Sequence, residues 1–328
     1  MRESKLFCAL PEYICTPDGM AIDKYDNLVL SCPNFAQDDM SGCVVKINKE
    51  GVVTKWFDVP VHPETGVARN MGIDFDENWN VYLCDNQGWS EKPELLFKGR
   101  VLKVEVDDAG HIFKTTVVAK NMEHPNGIRI KNGYMYVTQS YMHPAKREDG
   151  KLVSGVYRFK LDDAEIDVKN DLTDEHLFAT FVTSDPNCQY GADGIAFDSK
   201  GDLYVGNFGD GEIYKLELDA EGNLKSNTPF AKNASQLQST DGMIFDQDDN
   251  LYIADFSANA IAMVTPDGKV QRIAQSPDCT GLDGGLDQPG EPIVWNGRII
   301  ASCFDLVTGP DKVNTKHEMP ATLAELPL

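Results

Sequence analysis

The chain has 328 residues, with 52 acidic side chains against 30 basic ones and a formal net charge of −22. That balance argues against nucleic acid as a partner, because such binding depends on Lys and Arg neutralising phosphates, and against an anionic membrane surface. A hydrophobic fraction of 41% is enough for a large core, so a small-molecule substrate is the expected partner.

The opening stretch, Met1 to Cys8, carries no long apolar segment of the kind a secretory signal needs. No apolar run approaches the ~20 residues of a membrane span, so a cytoplasmic protein is expected. The eight cysteines include no C-x-x-C pair and scatter without zinc-site spacing. Those in apolar runs, such as Cys32 and Cys84, read as small buried hydrophobes.

One pattern recurs along the chain: a short polar motif, an apolar strand, an Asp/Asn/Gly turn and a second apolar strand. Its first copy starts at Pro17-Asp18-Gly19 and returns through residues 26–31. The second starts at Asn70-Met71-Gly72 and returns through 79–84. The third runs from Pro125-Asn126-Gly127 to 138, and the fourth from Ala192-Asp193-Gly194 to 206. The fifth runs from Thr240-Asp241-Gly242 to 254, and the sixth from Gly290-Glu291-Pro292 to 301. Third strands are legible at 43–47, 100–104, 156–159, 212–216 and 260–264, and fourth strands at 52–57 and 270–274. Four short strands per ~40–50 residues is the period of a propeller blade. Six copies predict an all-β, six-bladed β-propeller of four-stranded antiparallel blades around a central channel, a single domain over residues 1–328. The sixth copy lacks a clear outer pair after Cys303, and residues 4–10 are read as the strand that closes the ring.

The first strand of each blade lines the channel, so equivalent positions converge on one axis. The oxygen-bearing residues there are Asp18, Asn70, Asn126, Asp193, Asp241 and Glu291. Asp-Gly and Asn-Gly also begin ordinary turns. Yet the oxygen-bearing residue persists where the glycine is displaced, at Asn70, or missing, after Glu291. Converging carboxylates repel and raise one another's pKa values unless a cation joins them. Carboxylate and amide oxygens in flexible geometry suit Ca2+ among the divalent cations. Mg2+ demands stricter octahedral geometry, and zinc would call for His or Cys. A second tier follows the second strands, at Asp85, Gln139, Asn207 and Asp255. These residues are candidate substrate contacts or, alternatively, locks on loop backbone. His124, two residues before Asn126, is a further candidate contact and base.

The segments His124-Pro125-Asn126-Gly127-Ile128, Ala192-Asp193-Gly194-Ile195 and Thr240-Asp241-Gly242-Met243, with Gly290-Glu291-Pro292-Ile293, resemble the senescence-marker-protein/gluconolactonase/luciferin-regenerating-enzyme family. The calcium-dependent diisopropylfluorophosphatase is a relative of that family. The resemblance implies a six-bladed propeller with one catalytic divalent metal, usually calcium, held by one Glu, two Asn and one Asp in the channel. It also implies hydrolysis of lactones and, in some members, of phosphotriesters. Carried over cyclically, the ligands are Glu291, Asn70, Asn126 and Asp193, with Asp18 and Asp241 lining the channel. Carried over linearly, they are Asp18, Asn126, Asp193 and Asp241. The cyclic set matches every residue type and is preferred, although the family's first-blade Glu-Gly-Pro signature is missing.

The expected function is therefore a calcium-dependent, gluconolactonase-like hydrolase of a lactone or related neutral ester. The metal would polarise the carbonyl, with Asp193 as ligand and as base or nucleophile. The loops at 89–96 and 141–151 are long enough to act as lids. The alternatives are a non-catalytic binding propeller, or phosphotriesterase or isomerase chemistry at the same metal.

Overall fold

The structure is a computed structural model that describes residues 1–88, 92–308 and 313–328. Its strands form six small sheets arranged as a six-bladed β-propeller. The chain begins with β1 (Lys5–Ala9), whose partner comes from the far end of the sequence. The first blade is β2 (Met20–Ile22), β3 (Leu28–Cys32), β4 (Cys43–Ile47) and β5 (Val53–Asp58). The second is β6 (Asn70–Phe75), β7 (Val81–Asp85), β8 (Gly99–Val106) and β9 (Ile112–Met122). The third is β10 (Pro125–Lys131), β11 (Tyr134–Gln139) and β12 (Leu152–Lys160), then β13 (Ile166–Asp167) and β14 (Leu177–Thr183). Here β13 leaves its own blade and pairs parallel with β9. The fourth blade is β15 (Ala192–Phe197), β16 (Leu203–Asn207), β17 (Glu212–Leu218) and β18 (Leu224–Lys232). The fifth is β19 (Met243–Phe245), β20 (Leu251–Asp255), β21 (Ala260–Val264) and β22 (Val270–Gln275).

The sixth blade is a composite. From the channel outward it runs β23 (Pro289–Trp295), β24 (Arg298–Cys303), β25 (Thr322–Pro327) and then β1. The outer strand from residues 4–10 sits where the sequence suggested. The third strand comes from beyond an 18-residue connector (304–321) and carries no signal adjacent to Cys303. Among the described residues there is no α-helix, and no helix is long and apolar enough to cross a membrane. All eight cysteines are free.

Local chemistry explains the hairpins. At the turn after each of four inner strands, an Asp carboxylate accepts backbone N–H groups two and four residues ahead. Asp23 does so from Tyr25 and Asn27, and Asp76 from Asn78 and Asn80. Asp198 accepts from Lys200 and Asp202, and Asp246 from Asp248 and Asn250. These carboxylates satisfy the turn and fix where each strand pair reverses. The alternating apolar faces of neighbouring blades then pack together. Val29 and Val44 of the first blade, for example, join Ile73, Leu83 and Leu102 of the second.

The channel strands approach one another unusually closely, and glycine makes that possible. A Cβ on Gly72 would lie 2.5 Å from the Asn126 carbonyl oxygen, and one on Gly127 would lie 2.7 Å from that of Asp193. On Gly194 it would meet the Asp241 oxygen at 2.1 Å, and on Gly19 the Met71 oxygen at 2.6 Å. Gly19, Gly72, Gly127, Gly194 and Gly242 are therefore one structural position, a seam where only hydrogen fits. Strand register agrees: Met20, Ile73, Ile128, Ile195, Met243 and Pro292, one residue further on, each pair with the residue two before the end of the following strand.

Candidate active site at the channel mouth

This seam sets the ring. The residues immediately before it are Asp18, Met71, Asn126, Asp193, Asp241 and Gly290. Asn70 and Glu291 are each one residue out of step, Asn70 before the ring position and Glu291 at the glycine position. In a strand a one-residue offset reverses the direction of the side chain. The Asn70 side chain accordingly turns away from the axis into the first blade. Its Nδ2 donates to Ser31 Oγ (2.6 Å) and to the Cys43 carbonyl (3.0 Å). Its Oδ1 points at Gly42. Asn70 is thus not part of the channel constellation, which corrects the cyclic ligand set.

Glu291 stays in the channel but belongs to a deeper layer. Its Oε2 accepts the Met20 N–H at 2.9 Å, and its Oε1 forms an ion pair with Arg129. Arg129 is the residue that sequence reasoning missed. Three residues beyond Asn126, it spans the channel and also donates to the Met243 carbonyl at 3.3 Å. Asp74, three residues beyond Met71, shares this layer and lies in the field of Arg129. The ring positions themselves hold no Lys or Arg, and the cation sits one layer down. Its position was nonetheless legible from the repeat, at the same offset as Asp74.

Above that ion pair, Asp18, Asn126, Asp193 and Asp241 surround a narrow space of about 20 Å³. Asn126 Nδ2 donates to Asp193 Oδ1 at 2.6 Å, and Asp193 is also hydrogen-bonded to Asp241. Burial pushes the Asp193 carboxyl up to about 8; the Asn126 bond opposes this, and Glu291 adds to it. Asp18 is raised well above the usual range by burial, then by the Glu291 and Asp193 charges. Asp241 is raised by burial, then by Asp193 and Asp18. Arg129 compensates Glu291 and Asp74 but leaves these three carboxyls in mutual repulsion. A hard divalent cation among them would relieve it, and three carboxylates with one amide oxygen are a calcium-type donor set. On this observation the residues fit such an ion.

A cup of about 110 Å³ opens above the ring. Asn126, Asp193 and Asp241 are part of its floor. Its wall includes Tyr190, Phe208, Phe256 and Phe304, whose rings contact in series at centroid distances of 6.0, 5.8 and 5.9 Å. Phe208 and Phe256 immediately follow the second-tier residues Asn207 and Asp255, and Phe304 follows Cys303 at the end of β24. The second-tier residues themselves turn into their blades and do not line the cup. Asp85 accepts from Arg69 N, Gln87 Nε2 and Arg100 Nε. Gln139 bonds Glu123 N and Asn170, Asn207 bonds Thr183 and the Val182 carbonyl, and Asp255 bonds Gln238 N, Ser239 N and Arg272. They fasten the segment that enters each blade, which is the backbone-locking role. His124 is fully buried, contacts Asn86 at 3.1 Å and packs against the Tyr141 ring at a centroid distance of 4.5 Å, tilted by 49°. Burial lowers its pKa to about 3, so it stays neutral. The wall at Cys188 to Tyr190 was not among the predicted loops. Of the predicted lid at 89–96, residues 89–91 lie outside the described residues.

The SMP-30/Gluconolactonase/LRE-like region model matches residues 210–282, which span the outer half of the fourth blade and the fifth blade, with Asp241. The chain resembles that family. No curated protein matches the sequence. Solved structures match over nearly the whole chain at low identity, which establishes the shared propeller fold. A luciferin-regenerating enzyme is 11% identical, covering 100% of this chain and 96% of its own, with a TM-score of 0.66. A gluconolactonase from Xanthomonas campestris is 15% identical, covering 98% and 88%, at 0.59. The calcium-binding protein regucalcin from Agrobacterium tumefaciens is 12% identical, covering 99% and 93%, at 0.60.

Proposed function

We propose that this protein is a calcium-dependent hydrolase of a lactone or related neutral ester. The observation that carries the reading is the cup itself, with an aromatic wall over a floor of converging carboxylates and an amide. The family resemblance points the same way. An apolar wall and an acidic floor favour a neutral, compact substrate over an anion. Asp18, Asn126, Asp193 and Asp241 would hold the ion, which is the linear ligand set, with Met71 and Gly290 as the two blades that contribute no ligand. A bound calcium ion supplies a Lewis acid for the ester carbonyl and charge stabilisation for the developing oxyanion.

Asp193 is the proposed base. Asn126 orients its carboxyl, and the shared hydrogen bond with Asp241 provides a second place for a proton. A water attacks the carbonyl carbon and gives its proton to Asp193. The acyl C–O bond then breaks, and the proton passes to the leaving alkoxide, giving a hydroxy acid and restoring Asp193. The wall of Phe208, Phe256 and Phe304 excludes competing water and presses the substrate onto the floor.

The test is turnover of a lactone panel followed by a pH indicator, with calcium and with chelator, for wild type, Asp193→Asn and Asn126→Ala. We expect calcium-dependent turnover that falls roughly 10²-fold or more in Asp193→Asn. Turnover indifferent to chelator and to both substitutions overturns the proposal, as does the absence of turnover across the panel.

A further inference from the structure

The tightest cluster of carboxylates among the described residues lies outside the ring, in the loops of the sixth blade. Asp287 immediately precedes the Gln288–Pro289 entry to β23, Asp305 is the second residue after β24, and Glu318 lies near the end of the connector before β25. Each offers a carboxylate oxygen, and the three oxygens lie within 4.8 Å of one another. Asp287 and Asp305 are 2% and 1% exposed. Asp305 is well partnered: its carboxylate accepts from Asn314 Nδ2 at 2.9 Å and Glu318 N at 2.7 Å and lies 3.1 Å from His317 Nδ1, which also bonds the Asp305 carbonyl at 2.6 Å. Asp287 differs: its Oδ1 is buried and has no hydrogen-bond partner among the described residues, and the same is true of Glu318 Oε2. The other Glu318 oxygen meets the exposed Lys316 at 3.1 Å.

An unpaired buried carboxylate facing two others is costly without a counter-ion. His317 hydrogen-bonds Asp305 and only partly offsets Asp287, which burial, followed by the Asp305, Glu318 and Asp278 charges, drives up to about 8. All the free donors are carboxylate oxygens, which suits a hard cation of six to eight oxygen ligands completed by water.

We propose that Asp287, Asp305 and Glu318 form a structural calcium site, separate from the ring, that ties the 304–321 connector to the entry of β23. The consequence reaches the substrate. Phe304 and Thr308, at the start of that connector, line the cup, so the ion holds one side of its wall in place. The site does not depend on the ring holding a metal.

The test counts calcium per chain by equilibrium dialysis and measures melting with calcium and with chelator. The proteins are wild type, Asp287→Asn, Glu318→Gln and the ring double variant Asp193→Asn/Asp241→Asn. We expect each blade-six variant to bind one ion fewer than wild type, and the ring double variant to keep the blade-six ion. If the ring holds no calcium, wild type binds one ion, and Asp287→Asn abolishes it. At a hundredfold excess over its dissociation constant, calcium should raise the melting temperature of the ring double variant by about 5 °C. Without calcium, Asp287→Asn should melt above wild type, because an unpaired buried carboxylate is gone. Should Glu318→Gln be too mild to register, Asp287→Asn decides. Stoichiometry unchanged in Asp287→Asn, or chelated Asp287→Asn melting below wild type, overturns the proposal.

Discussion

Chelated protein should lose stability as pH rises from about 5 to 8, the reverse of a protein held by ordinary carboxylate ion pairs. Asp193 and Asp287 have pKa values raised from 3.8 to about 8. Below pH 3.8 both the folded and the unfolded chain are protonated, so neither group changes stability. Between the two values the folded chain keeps protons that the unfolded chain has released, and stability declines with pH. Each group contributes a slope of up to about 1.4 kcal/mol per pH unit. Asp18 and Asp241 are raised as well and add in the same direction. Two full protons would give nearly 3 kcal/mol per unit, a large share of the ~5–15 kcal/mol that holds a typical domain. Saturating calcium should flatten the profile by binding the ionised forms. The assay is urea unfolding at half-unit pH steps, with chelator and with calcium, for wild type and Asp193→Asn. The substitution should reduce the chelated slope by about one group's share. A chelated profile that is flat or rises between pH 5 and 8 would refute the electrostatic account of both sites.

Arg129→Met should destabilise chelated protein by about 3–5 kcal/mol, because Glu291 and Asp74 lose their buried partner. Adding Glu291→Gln should recover much of that loss, as read by a double-mutant cycle in urea. Gly194→Ala should cost about 2 kcal/mol or more, since its Cβ would fall 2.1 Å from the Asp241 oxygen. Gly133→Ala, at φ 80° with nothing nearby, should cost only about 1 kcal/mol. Phe256→Ala should raise KM for a lactone roughly tenfold with kcat little changed, since it removes apolar wall and no reacting group.

The propeller was legible because its signal repeats: alternation, Asp/Asn turns and a polar residue before glycine, six times over. Asp18, Asn126, Asp193 and Asp241 could be placed for the same reason. Errors arose where oxygen chemistry and register disagreed. Asn70 and Glu291 carry suitable atoms, but Met71-Gly72 and Gly290-Glu291 put them one residue off the ring. The glycine was the better anchor, because close backbone approach tolerates no substitute, whereas the ring position accepts Met71. The role of Arg129 was hidden for another reason: its ion pair with Glu291 joins two blades, and spacing within a single blade does not encode that contact. The second-tier residues could be read as backbone locks or as substrate contacts, and spacing alone did not choose between the two. The carboxylates of the sixth blade come from three segments around a connector with no repeat pattern, so nothing in the sequence drew them together.

The composite sixth blade also bears on how the molecule comes apart. Lys5 of β1 pairs with Glu325 of β25, and Arg2 Nη1 reaches the Pro327 carbonyl across 325 positions of sequence. Contacts of such long range form late, because loop closure must precede their reward. The other five blades are built almost wholly from local hairpins. The weakest cooperative unit is then expected at this junction, where amide hydrogen exchange should be fastest among the buried strands. Parting there would free the connector, remove Phe304 from the cup and scatter the Asp287 cluster in one event. A bound ion or substrate on that side would thus act as a latch on the circle itself, so that ligand occupancy and resistance to proteolysis rise together.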